Sequence, residues 1–175
     1  MASPHDLPLQ FQQRFKAEGE LAYARTRELW AYLYTAVLVE GRCLMVHGGL
    51  PSALSSVDDL ARAHEIHPKQ EFLEELLWSD PDDVVKDVAS SPRGAGKLFG
   101  KNVTEKVLAK LNVNFLIRGH EPCSEGFRLN HDGKVLTLFS RLGEPYFNAH
   151  GAYLGLPLSK KFESAAQLLP FIHKF

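Results

Sequence analysis

The sequence predicts a single α/β unit. Short apolar runs (AVLVE, RCLMV, NVNFLI, VLTLF) alternate with stretches whose apolar residues recur every three or four positions. The 175 residues are about one domain's worth, with no internal repeat and no low-complexity linker. Apolar residues make up 45% and charged residues 23%, ordinary globular values that exclude long-range disorder and collagen-like architecture.

Each element follows from local chemistry. The first eight residues hold Pro4 and Pro8 and are expected to run extended. A helix is expected over about 9–18. A second starts near Thr26 as its cap, with Leu29, Trp30, Leu33, Tyr34 and Val37 at helical spacing on a face expected to be buried. AVLVE and RCLMV, on either side of Gly41, predict two strands joined by a tight turn. The second leads into His47-Gly48-Gly49-Leu50-Pro51, where paired glycines are expected to let the chain turn sharply. Ser55 or Ser56 caps a helix beginning Val57-Asp58-Asp59-Leu60, with its acids in the first turn.

A helix over about 68–77 stops at Trp78-Ser79-Asp80-Pro81-Asp82, and residues 82–100, with three glycines, read as loop. The spacing predicts a helix over 102–111, with Val103, Val107, Leu108 and Leu111 on one side. A strand over 112–117 follows, with Arg118-Gly119-His120 at its end. Residues 127–129 and 135–139 flank Asn130-His131-Asp132-Gly133, a hairpin turn in which Asp-Gly tolerates positive φ. A strand over 152–156 and a closing helix over 164–172, its end disturbed by Pro170, complete the series.

Charge narrows the function classes. Twenty Lys and Arg against 21 Asp and Glu give a net charge of −1, which argues against nucleic-acid binding through a bulk positive field. No apolar run approaches the roughly 20 residues of a membrane helix, and MASPHDLPLQ lacks a signal-peptide pattern. Cys43 and Cys123 lie far apart, so a disulfide framework is not indicated. A soluble cytoplasmic protein is expected.

Two histidines follow apolar strands directly: His47 after CLMV, and His120 after NFLIRG. Strand C-termini are where α/β proteins build sites, and neutral imidazole is a common divalent-metal ligand. Position alone leaves each open between ligand and ordinary hydrogen-bonded histidine. His5, His64, His67, His131, His150 and His173 have no comparable setting and read as solvated or structural. Ser91-Pro92-Arg93-Gly94-Ala95-Gly96 places one arginine in a glycine-rich loop, where a guanidinium can grip a phosphate through paired hydrogen bonds. It is not a P-loop, since the GxxxxGK[ST] spacing is absent. Asp80 reads locally as a turn residue or as an acid supporting a site.

Taken in order, His47-Gly48-Gly49-Leu50, Leu77-Trp78-Ser79-Asp80-Pro81, Pro92-Arg93-Gly94-Ala95-Gly96 with Phe99-Gly100, and Ile117-Arg118-Gly119-His120 form a series. Phe139-Ser140 and Asn148-Ala149-His150-Gly151-Ala152 extend it. The series, over about residues 4–156, resembles the PPP family of serine/threonine protein phosphatases, the calcineurin-like metallophosphoesterases. The short tail and the lead-in Pro4-His5-Asp6-Leu7-Pro8 look most like archaeal or bacterial members. The resemblance implies the C-terminal half of an αββα sandwich, as a single partial domain. It implies hydrolysis of phosphoprotein or phosphopeptide monoesters by a water that two divalent ions (manganese, iron or zinc) activate. By this resemblance His47 and His120 are metal ligands, Arg93 holds the substrate phosphate, and Asp80 and Arg118 are supporting residues.

The departures are as informative. The family's GDxHG, GDxxDRG and GNHE motifs, which carry the other metal ligands, a second phosphate-binding arginine and the leaving-group histidine, are absent. Asn130-His131-Asp132 lies downstream of where GNHE belongs and reads as a turn. Arg141-Leu142-Gly143-Glu144-Pro145 differs from the family's APNYCG. No catalytic acid is therefore assigned in this chain, and incomplete metal occupancy and an inactive isolated chain are expected. Such a half-fold is also expected to leave a sheet face or strand edge uncovered. Three readings follow: half of a phosphatase that works with a separate N-terminal half or another phosphatase chain; a non-catalytic regulatory or phosphate-binding module; or a mononuclear zinc protein using His47, His120 and a further acid.

Overall fold

The computed structural model describes residues 6–175, so Pro4 and His5 lie outside the described residues. The chain divides into two compact units, with the boundary between Tyr34 and Thr35.

The first unit is a helical hairpin: α1 (Leu7–Phe15), a 3-10 turn (Lys16–Glu18) and α2 (Gly19–Trp30). Pro8 sits in the first turn of α1, where a missing N–H costs no helical bond, so the chain is helical rather than extended there. Phe11 packs its ring 5.6 Å from both Phe15 and Tyr23. Gly19 lets the two helices approach, since a Cβ there would come within 2.7 Å of the Phe11 carbonyl oxygen. Thr26 is not a cap. It lies inside α2 and its hydroxyl donates back to the Ala22 carbonyl at 2.9 Å. The buried face expected from Leu29 to Val37 is also absent. The helix ends at Trp30, Val37 belongs to a strand, and Leu29, Leu33 and Tyr34 are 58%, 60% and 90% exposed.

The second unit, Thr35–Phe175, begins with β1 (Ala36–Val39), β2 (Cys43–Val46), α3 (Val57–Ala61), α4 (Ala63–Ile66) and α5 (Phe72–Trp78). It continues through β3 (Asp80–Pro81), β4 (Val88–Ser90), β5 (Lys97–Phe99), α6 (Lys101–Lys110), β6 (Phe115–Arg118), β7 (Phe127–Asn130) and β8 (Val135–Leu138). It closes with β9 (Ala152–Leu154), a 3-10 helix (Ala165–Phe171) and β10 (Ile172–Lys174).

The main sheet runs β1-β2-β6-β8-β7, with β2, β6 and β8 parallel at its centre and antiparallel strands at both edges. The three central strands are covered on both faces, which is why they read as continuous apolar runs. In register, Leu44, Leu116 and Val135 face the helical side, packing with Leu50, Leu76 and Val107. Cys43, Phe115, Ile117 and Leu136 face the other side, against Ala165 and Leu168. The α/β class expected from the sequence is thus observed.

Three local expectations change. Residues 82–100 are not all loop, because β4 and β5 join β3 in a small second sheet ordered β3-β5-β4. The helix expected over 68–77 starts only at Phe72. The closing segment is a 3-10 helix containing Pro170, followed by β10 paired with β9. Proline lacks the N–H that an α-helix needs there. Elsewhere local chemistry holds. Ser56 caps α3 in a capping box with Asp59, and the β7–β8 turn takes positive φ at His131, Asp132 and Gly133.

Candidate functional site

The parallel pairing of β2 with β6 sets the site. Met45 stands opposite Ile117, so the residues just past each strand end side by side, and the Gly119 N–H donates to the His47 carbonyl at 3.1 Å. This is the C-terminal edge of parallel strands, where open α/β sheets bind ligands. The His47 and His120 rings meet there, with His120 Nδ1 and His47 Nε2 3.2 Å apart. Trp78 packs edge-on against His120, with ring centroids 5.5 Å apart. His120 takes a left-handed φ of 71°, a strained conformation for a non-glycine residue that is often found at functional sites.

The glycines of His47-Gly48-Gly49 serve close approach rather than a turn, since neither has a positive φ. A Cβ on Gly48 would lie 2.6 Å from the Trp78 nitrogen, and one on Gly49 would lie 2.7 Å from the Ser79 carbonyl oxygen. The Gly48 N–H donates to the Leu76 carbonyl at 2.7 Å, docking this segment on the end of α5.

Asp80 is the hub. It is a buried strand residue rather than a turn residue. Its Oδ1 accepts from Arg118 Nη2 at 2.7 Å and its Oδ2 accepts from Arg93 Nε at 2.9 Å. Arg118, whose side chain is fully buried, also donates to the Gly48 carbonyl at 2.6 Å and to Glu121 Oε2 at 2.7 Å. Such a buried cation is tolerated only because carboxylates and carbonyls surround it. The loop between β4 and β5 brings Arg93 in. That loop is tied to α5 by Gly96 N–H to Glu74 at 2.9 Å and by the Lys97 ammonium to Glu75 at 3.1 Å.

Burial and nearby charge disfavour the protonated form of both histidines. Burial pushes His120 down to about 4; the Asp80 carboxylate opposes this, while Arg118, His47 and Arg93 add to it. His47 is lowered too, by burial and then by Arg118, against Asp80. Neutral imidazole is the metal-binding form. His120 Nε2 is buried with no hydrogen-bond partner, 4.0 Å from Asp80 Oδ1.

The structure therefore brings all five predicted residues together. His47 meets His120, Asp80 lies beside His120, and Arg93 and Arg118 hold the two oxygens of Asp80. As a metal centre the set is partial. Two neutral imidazoles and an orphaned Nε2 have the right chemistry, but two donors are too few for a structural or catalytic metal. Among the described residues no three His, Cys, Asp or Glu side chains form a set able to hold an ion, so the mononuclear zinc reading gains no support. Sequence reasoning missed Glu121 and Glu75. Glu121 stands three residues after Arg118 and binds it. Glu75, on the apolar face of α5 between Leu73 and Leu76, is buried and accepts from the Ser52 N–H at 2.9 Å. An acid inside an apolar helical face was the available signal.

A strand-end histidine pair beside an acid-held arginine thus gathers at one edge of the main sheet. Residues 5–124, which contain all five site residues, match the family of calcineurin-like phosphoesterases. The chain belongs to that family. It is 30% identical over 162 residues to a probable serine/threonine-protein phosphatase of Encephalitozoon cuniculi, covering 91% of this chain and 35% of the relative. It is 39% identical over 117 residues to serine/threonine-protein phosphatase 5 of Arabidopsis thaliana, covering 65% of this chain and 21% of the relative. The solved structure of a Saccharomyces cerevisiae serine/threonine phosphatase with similarity to human phosphatase PP5 superimposes with a TM-score of 0.63 at 26% identity, over 81% of this chain and 46% of that one. The chain thus spans about a third or less of the length of these curated relatives. Calcineurin-like phosphoesterases are metal-dependent. Among the described residues no helix is long and apolar enough to cross a membrane.

Proposed function

We propose that this chain carries one half of the active site of a PPP-type serine/threonine phosphoprotein phosphatase, corresponding to the C-terminal half of the αββα sandwich. The observation that carries the reading is the convergence of His47, His120 and Arg93 around Asp80. Arg93 binds the phosphate of a phosphoserine or phosphothreonine through the guanidinium N–H groups that Asp80 does not use. Asp80 and Arg118 fix its position. His47 and His120 would be two ligands of a divalent ion (manganese, iron or zinc), the remaining donors and a second ion's ligands coming from outside these residues. When bound, such an ion supplies Lewis acidity and an activated water. The partner is a separate N-terminal half or another phosphatase chain, in the cytoplasm, with no nucleic-acid role. The archaeal or bacterial type remains part of the proposal, although the relatives named above are eukaryotic.

The test is hydrolysis of a phosphopeptide with manganese, with and without a fragment carrying GDxHG, GDxxDRG and GNHE. Turnover is expected only with the fragment, and it is lost on His47→Ala. Turnover by the chain alone overturns the half-site reading. Inactivity in both arms favours the non-catalytic phosphate-binding module.

A further inference from the structure

The ion pairs at Asp80 continue beyond Arg93 and Arg118. Glu121 accepts from Arg118 at Oε2 and, through Oε1, pairs with Arg128 Nη2 at 2.8 Å. The result is a ladder of alternating charge: Arg93, Asp80, Arg118, Glu121, Arg128. Its middle is buried and its two ends are not. Arg118 is fully buried, whereas the Arg93 and Arg128 side chains are 39% and 43% exposed. Both end arginines line one cleft of about 470 Å3.

Each end arginine also keeps uncommitted donors. Among the described residues Arg93 uses Nε on Asp80, and neither Nη meets an acceptor. Arg128 spends Nε on Asn130 and Nη2 on Glu121, which leaves Nη1. The two other carboxylates lining the cleft are bonded to neighbouring N–H groups, Asp83 remaining 59% exposed. Asp82 accepts from the Val84 and Val85 N–H groups, and Asp83 accepts from the His131 N–H and from Asn130 Nδ2. A cleft of this volume falls within the range of about 300–1,000 Å3 that holds drug-sized ligands, more than one phosphate group fills.

We propose that Arg128 is a second anion-binding arginine, reading an acidic group that flanks the phosphate held by Arg93. The ligand class is a phosphopeptide with an aspartate, glutamate or second phosphorylated residue near the first. The inference rests on the phosphate-binding reading of Arg93. The buried Arg118 sets the spacing of the two guanidiniums through Asp80 and Glu121, so the cleft selects for the separation of the two charges.

The experiment measures dissociation constants of the full chain for phosphoserine peptides in which one aspartate, or alanine in its place, is moved through the neighbouring positions. At one position aspartate is expected to bind about five- to tenfold tighter than alanine. Arg128→Ala removes that preference and leaves the all-alanine peptide within about twofold. Arg128→Lys keeps part of it as a point charge. Arg128→Gln replaces the alanine variant if thermal melting shows that variant unfolded. Arg93→Ala weakens every phosphopeptide alike. Phosphate-dependent binding with no aspartate preference, or a preference that survives in Arg128→Ala, overturns the proposal alone. Absence of any phosphate-dependent binding overturns the reading of Arg93 and this proposal with it.

Discussion

Asp80→Asn tests the arrangement most directly. Its carboxylate, 6% exposed, faces a fully buried Arg118 guanidinium at 2.7 Å and a half-exposed Arg93 at 2.9 Å. Removing one partner of a buried ion pair costs about 3–5 kcal/mol, because a charge is left without its counterion. Arg118 retains Glu121 and the Gly48 carbonyl, and the amide oxygen still accepts one bond, so the lower end applies. The Arg93 contact, screened by solvent, adds at most about 1 kcal/mol. A loss of about 3 kcal/mol is expected, equivalent to a fall in Tm of about 6–12 °C for a chain of this size. Urea unfolding followed by circular dichroism reads it, with m unchanged between variants. Arg118→Met should cost a similar amount alone. The double variant should be less destabilised than the sum by at least about 1 kcal/mol, because each single change strands a charge that the double change removes. A loss below about 0.5 kcal/mol for Asp80→Asn, or strict additivity in the double variant, would refute the argument.

Further expectations concern pH, backbone and the buried hairpin. His120 is lowered to about 4 when folded and titrates near 6.5 when unfolded, so the unfolded chain takes up the proton first. With chelator present, stability is therefore full above about pH 6.5 and falls towards pH 4, by up to about 1.4 kcal/mol per pH unit. His120→Ala should flatten that slope, as pH-dependent urea midpoints will show. Gly96 has a φ of +64° and an added Cβ would sit 2.5 Å from the Trp78 carbonyl carbon, so Gly96→Ala should cost about 1–3 kcal/mol and weaken phosphopeptide binding through Arg93. Thr104, fully buried, bonds His131 Nδ1 at 2.8 Å, and Thr104→Val should cost about 1–3 kcal/mol in the same unfolding assay.

What the sequence made legible were the residues whose role is local. RCLMV and NVNFLI announce strands by their short apolar runs, and His47 and His120 are placed because they follow those strands, whereas their parallel pairing shows only in the fold. Ser56 and Asp59 declare a helix start through short-range bonds. The small β3-β5-β4 sheet was not legible, because Asp80–Pro81 is too short to show a period and its pairing with Leu98 and Phe99 crosses a glycine-rich loop. For the same reason Asp80 resembled a turn residue. Its role depends on Arg93 and Arg118, 13 and 38 positions away. The exposed helical hairpin was misread because apolar spacing from Leu29 to Val37 continues across a helix end that only the fold defines.

The two sides of the site differ in how far this chain completes them. The ladder from Arg93 to Arg128 satisfies its buried charges from within: Arg118, the most buried member, has both carboxylates and two carbonyls around it. The histidine side does not, since His120 Nε2 stays buried and unpartnered and, among the described residues, two imidazoles converge. A guanidinium already held by Asp80 needs little reordering to take up an anion, whereas a two-donor edge cannot enclose a metal. Phosphate binding should therefore precede metal binding and be independent of it. Inorganic phosphate titrated into the chelator-treated chain, followed by the NMR signal of Arg93 Nε–H, should saturate with a dissociation constant in the millimolar range, about −4 kcal/mol. Added manganese should change that constant by less than about threefold, and Arg93→Ala should abolish the response. Phosphate binding that appears only with manganese would mean that the histidine edge, and not the arginine ladder, organises the anion.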